Sequence, residues 1–123
     1  MALKFNPNPT FKLLVLVPVA GQDTPEDIPL TVKHLKPSEY TDMVSKAAEE
    51  IGKVSGKDDK QVSAMADMLM SLITGWEWTD EGKPTDVPLT KENMSTVIVN
   101  YPAFYSAVVS QYGEELFKVR EKN

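Results

Sequence analysis

The 123-residue sequence predicts an α+β fold, an N-terminal antiparallel β-hairpin followed by a bundle of about four α-helices. Three observations carry that prediction. Two segments near the N-terminus alternate apolar and other residues with a period of two, and at Pro37 the period changes to that of a helix. The hydrophobic fraction of 41%, beside 25% charged residues, is enough for a core at this length. One domain spanning residues 1–123 is expected.

In "TFKLLVLVPVAG", Phe11, Leu13, Val15 and Val17 alternate with Lys12, Leu14 and Leu16, which predicts a strand over about 10–19, partly covered on both faces. In "IPLTVKHL", Ile28, Leu30, Val32 and His34 alternate with Thr31, Lys33 and Leu35. A second strand over about 28–35 follows, paired with the first.

Pro37 suits a first helical turn, because its φ is fixed and its missing N–H has no partner to lose there. Tyr40, Met43, Val44, Ala47, Ala48 and Ile51 then fall on one face of a helix over about 37–51. Asp58, three residues before Gln61, makes a capping-box-like start, with Asp58 as the cap, to a second helix over about 58–74. Its stripe is Val62, Met65, Ala66, Leu69 and Ile73, with Met68, Met70 and Leu72 lying off it.

Residues 74–89 carry Gly75, Gly82, Pro84 and Pro88 and read as loop. Thr90 is the expected N-cap of a third helix over about 91–99, with Leu89 and Met94 placed as a hydrophobic staple. "NYP" ends that helix. A fourth, over about 102–120, carries Phe104, Ala107, Val108 and Tyr112 on one face and an expected Glu114–Lys118 pair. The segment 113–123, after Gly113, is expected to be a mobile or oligomerisation tail.

Composition and motifs exclude several function classes. A net charge of -5, with Arg120 the single arginine and no Lys/Arg cluster, argues against nucleic acid and anionic membranes as partners. "FKLLVLVPV" is too short to span a bilayer. No cysteine is present, which removes disulfides, thiolate metal sites and cysteine nucleophiles. His34 has no nucleophile or acid beside it in the pattern and reads as a half-exposed strand histidine. The acidic loop has Thr85 and Lys91 where a calcium loop needs glycine and glutamate. No phosphate-binding loop or nucleophile elbow appears, so neither a cofactor nor an enzyme is expected.

What remains is apolar and aromatic surface. Candidate partner-binding residues are Trp78, Tyr105 and Phe117 with Met68 and Met70, since aromatic anchors and pliable thioethers suit protein contacts. Trp76 and Trp78 are expected to turn to opposite sides, one anchoring the loop to the core and the other half-exposed or covered by a partner.

The linear order of "FKLLVLVPVAGQ", "HLKPSEY", "LITGWEWTDEGKP", "LTKEN", "NYP" and a final aromatic helix ending in "YGEEL" resembles the small tail assembly chaperones of long-tailed bacteriophages, across nearly the whole chain. The resemblance implies a non-enzymatic protein that binds the tape-measure protein in the host cytoplasm and is absent from the finished virion. It further implies a longer product made by ribosomal frameshifting, whose added part recruits tail-tube protein; the ending "EKN" is compatible with a slippery A-rich run. Homo-oligomers would follow if many copies coat one long partner. The alternatives are a structural subunit of the tail, such as a tube or connector protein, and another small protein-interaction module. A tube subunit would favour a larger sheet, whereas two strands are predicted.

Overall fold

The computed structural model describes residues 3–118. β1 (Thr10–Val17) and β2 (Glu26–Lys33) form the expected antiparallel hairpin, in a register that sets Leu13 opposite Leu30 and Val15 opposite Ile28. α1 (Pro37–Lys53) and α2 (Asp58–Leu72) follow, then β3 (Ile73–Trp76), β4 (Trp78–Asp80) and β5 (Lys83–Thr85), and finally α3 (Lys91–Asn100) and α4 (Phe104–Phe117). The sheet order is β1-β2-β3, with β4 and β5 as a separate two-stranded ribbon.

The β-hairpin and four helices agree with the sequence reading; the stretch 74–89 does not. It contains strands rather than loop alone, and the second helix stops at Leu72 instead of 74. Ile73 continues the helical stripe of α2 in sequence, but its backbone is already extended and pairs with Val32. A sheet edge offered by β2 wins over one more helical residue. β2 thereby becomes the central strand although it contains Pro29, which cannot donate to a ladder. The short β3 makes this tolerable: it pairs only as far as Leu30, and beyond it the Glu77 N–H donates to the Pro29 carbonyl at 3.1 Å.

The inner face of the sheet is Leu13, Val15, Val17, Ile28, Leu30 and Val32, all buried against the helices. The outer face is not covered as expected. Leu14 and Leu16 stay 56% and 47% exposed. The edge of β1 is capped once, where the Gln111 side chain accepts the Leu16 N–H (2.9 Å) and donates to its carbonyl (2.7 Å), pinning α4 to β1.

α2 packs against both α1 and α3. This accounts for its broad apolar surface: Met68 and Leu72, off the predicted stripe, are as buried as Ala66 and Leu69. Two further local expectations are corrected. Asp58 is the first residue of α2 rather than its cap, and with Asp59 it places negative charge at the helix N-terminus, where the backbone dipole favours it. Lys118 bonds Glu115 rather than Glu114. α4 runs through Gly113 to Phe117, while residues 119–123 of the expected tail lie outside the described residues.

Candidate partner-binding surfaces

The tryptophan segment is a joint between sheet and ribbon. Trp76 lies opposite Leu30 and so faces the core side of the sheet, where its indole Nε1 donates to the Val87 carbonyl at 2.6 Å. This bond fastens the connection to α3 onto the sheet. Trp78 does not turn to the opposite side. Residues two apart in extended backbone share a face, and the two indoles meet edge to face with centroids 5.3 Å apart. The Trp78 Nε1 is buried without a hydrogen-bond acceptor among the described residues.

Beside Trp78, a groove of about 400 Å³ opens at the end of the hairpin where β1 stops and β2 starts. Trp78, Tyr101, Phe104, Val17 and Ile28 form its apolar walls, and Glu26, Asp27 and Glu77 stand at its rim. Only Glu77 of these three carboxylates has an ion pair among the described residues, an exposed one with Lys12 at 3.4 Å. A second groove, about 340 Å³, runs between α1 and α2. Met43, Ala47, Ala64 and Met68 are its apolar walls, and Lys46, Glu50, Asp67 and Ser71 line it as well.

A family description for phage tail assembly chaperones matches residues 1–123, the whole chain. The chain belongs to the phage tail assembly chaperone family. No curated protein and no solved structure matches it.

In this chaperone the five sequence-predicted contact residues do not form one patch. Met68 is 5% exposed and belongs mainly to the core, with an edge reaching the α1–α2 groove; Met70 is half-buried against the core and is not part of that groove. Trp78 lines the groove at the hairpin end. Tyr105 is half-buried on α4, and Phe117, at the end of α4, is 46% exposed. The chaperone's Tyr101 lies within the "NYP" break and Phe104 just after it, and both line the Trp78 groove, which the sequence reading does not identify. Leu3 and Phe5 were also passed over, and they are the two most exposed large apolar side chains described.

A tyrosine cluster joins α1, α4 and the sheet of the chaperone. Tyr112 is fully buried, stacks on Phe11 (5.7 Å) and tilts against Tyr40 (4.7 Å); its hydroxyl accepts the Leu35 N–H (3.1 Å) and donates to the Lys33 carbonyl (2.7 Å). Tyr40 donates to the Val109 carbonyl. Burial, then the neighbouring Tyr112 and Tyr105, push the Tyr40 phenol up to about 12, and burial also raises Tyr105 and Tyr112. These phenols stay neutral and structural at any physiological pH. His34 lies just past β2, exposed, with its ring edge-on to Phe11 at 5.5 Å.

Proposed function

We propose that this chaperone covers apolar helical faces of the phage tape-measure protein in the host cytoplasm before tube subunits assemble around it, without catalysing a reaction and without entering the finished virion. Its membership of the tail assembly chaperone family over the full length supports this role. One structural observation supports the mode of binding: the groove between α1 and α2, in which Met43, Ala47, Ala64 and Met68 are flanked by Lys46, Glu50, Asp67 and Ser71, has the form in which an amphipathic partner helix can lay its apolar side chains beside polar ones. Unbranched thioethers adapt to a succession of side chains along a long partner better than a rigid aromatic pocket would. Met68 then contributes its exposed edge, and Met70, Tyr105 and Phe117 are the further contact candidates. Trp78 lies at the other groove.

Co-expression with a tape-measure fragment tests the proposal. The fragment should become soluble and co-purify, and a fragment left insoluble and unbound counts against it. Ala64→Glu puts a charge into the groove from a half-buried position on its wall; it should abolish co-purification, and a melting temperature close to wild type would show that the loss is one of binding rather than folding. Mass spectrometry of finished particles should not find the chain, whereas a tube or connector subunit would be abundant there. Recruitment of tube subunits by a frameshifted longer product belongs to the same proposal, and a broken A run in the coding nucleotides would remove it.

A further inference from the structure

The stretch "LKFNPNP", residues 3–9, leads into β1 with Leu3 100% and Phe5 99% exposed. Neither side chain touches anything else in the described chain. Pro7 and Pro9 fix φ in a stretch that bends at Phe5, Asn6 and Pro9, so ordering it against a surface costs less chain entropy than a glycine-rich arm would. Between its apolar residues the arm carries Lys4, whose ammonium bonds only the exposed Asn8 side chain, at 2.9 Å.

The groove beside Trp78 has the complementary character. Its walls are apolar, and at its rim Glu26 and Asp27 have no ion pair among the described residues. An apolar–cationic–apolar arm matches an apolar groove with an acidic rim in both packing and charge. The arm does not occupy its own groove: Leu3 and Phe5 are almost fully exposed, and the groove's far wall at Val17 lies about 23 Å from Thr10 along β1.

We propose that residues 3–9 of one copy dock into the Trp78 groove of a second copy, Phe5 and Leu3 packing on Trp78, Tyr101 and Phe104 while Lys4 faces Glu26 and Asp27. Arm and groove are different surfaces, so the contact is heterologous, and we propose that it runs head-to-tail from copy to copy rather than as a reciprocal pair. It is independent of the tape-measure reading, since it needs only this chain.

Sedimentation velocity of the full chain tests it over rising concentration. The wild type should grow past the dimer, and Leu3→Ser/Phe5→Ser should remain monomeric with an unchanged melting temperature, because those side chains touch nothing within the monomer. Glu26→Lys/Asp27→Lys should lose association in the same way. The natural chain has no cysteine, so Phe5→Cys combined with Thr79→Cys, which lies at the groove, gives a clean cross-link. Under oxidation a ladder of trimers and larger species is expected. A wild type that stays monomeric at every concentration, association that survives in the Leu3→Ser/Phe5→Ser variant, or a ladder that ends at the dimer would each overturn the proposal.

Discussion

Replacing the tyrosines of the cluster by phenylalanine removes hydroxyls and leaves the rings in place, so it separates hydrogen bonding from packing. Tyr112→Phe deletes two bonds that tie α4 to the end of β2, the one accepted from the Leu35 N–H and the one donated to the Lys33 carbonyl. At about 1 kcal/mol net per bond, the expected loss is about 2 kcal/mol. With about 4 °C per kcal/mol at this chain length, the melting temperature should fall by about 8 °C. Tyr40→Phe deletes one bond, to the Val109 carbonyl, and should cost about half as much. Tyr105 is half-buried, but its hydroxyl has no hydrogen bond among the described residues, so Tyr105→Phe should lie within about 0.5 kcal/mol of wild type. Urea denaturation followed by circular dichroism, with slopes compared to confirm an unchanged unfolding transition, measures all three. Equal losses at the three positions, or a Tyr112→Phe loss below that of Tyr105→Phe, would refute the assignment of stability to these hydroxyls.

The same cluster predicts an alkaline limit. The folded pKa of Tyr40, about 12, lies above its ordinary 10, so the stability it contributes is complete below pH 10 and is lost as pH rises through 10 toward 12. Denaturant midpoints should fall across that window, and by less in Tyr40→Phe. Gly113 lies inside α4, where a Cβ would meet the Tyr40 ring at an ordinary 3.5 Å. Gly113→Ala should therefore raise stability by about 0.5–1 kcal/mol through helix propensity alone, visible as a higher melting temperature. Thr90→Ala removes the cap that accepts the Asn93 N–H at 3.1 Å, and should cost about 1 kcal/mol in the same assay.

Legibility in the sequence followed the length of the signal. The antiparallel pairing of β1 and β2, the face of α4 and the Thr90 cap each rest on repeated or paired residues, and the structure agrees with them: Phe104, Ala107, Val108 and Tyr112 are all buried, and Met94 is buried with Leu89 packed nearby. The strands after α2 were hidden by their brevity. β3 begins without a breaker, since Ile73 satisfies both the helical stripe and a strand. β4 and β5 join through Glu81 and Gly82, both at positive φ (50° and 80°), the backbone of a tight two-residue hairpin turn. The "EG" pair is a weaker signal for that turn than Asn-Gly or Asp-Gly, because glutamate rarely adopts a left-handed backbone. Pro84 also read as a breaker, yet it sits in a two-stranded ribbon opposite Thr79, with an outer edge that needs no donor. Neither groove was visible in sequence for a different reason: the Trp78 groove is assembled from the hairpin end, the ribbon and the start of α4, three segments that no local pattern connects.

The two grooves lie on separate elements, and that separation has a consequence for assembly if both proposals hold. A head-to-tail contact has no built-in stopping point, so something other than the contact must set the length of an array. Two apolar side chains and one lysine make a contact far smaller than the roughly 1,200 Å² of a stable interface, so in free solution arrays grow only at high protein concentration. Copies seated side by side through the α1–α2 groove on one long helical partner are instead held at high effective concentration, and there the same weak arm contact forms readily. Array length then follows partner length. Because each arm contact is weak, copies at an end can leave one at a time, as coverage that must later yield to tube subunits requires. Loss of the arm through Leu3→Ser/Phe5→Ser should accordingly leave binding of one copy to a short tape-measure fragment intact and reduce the number of copies retained on a long one. Equal retention on both would show that neighbouring copies do not support each other.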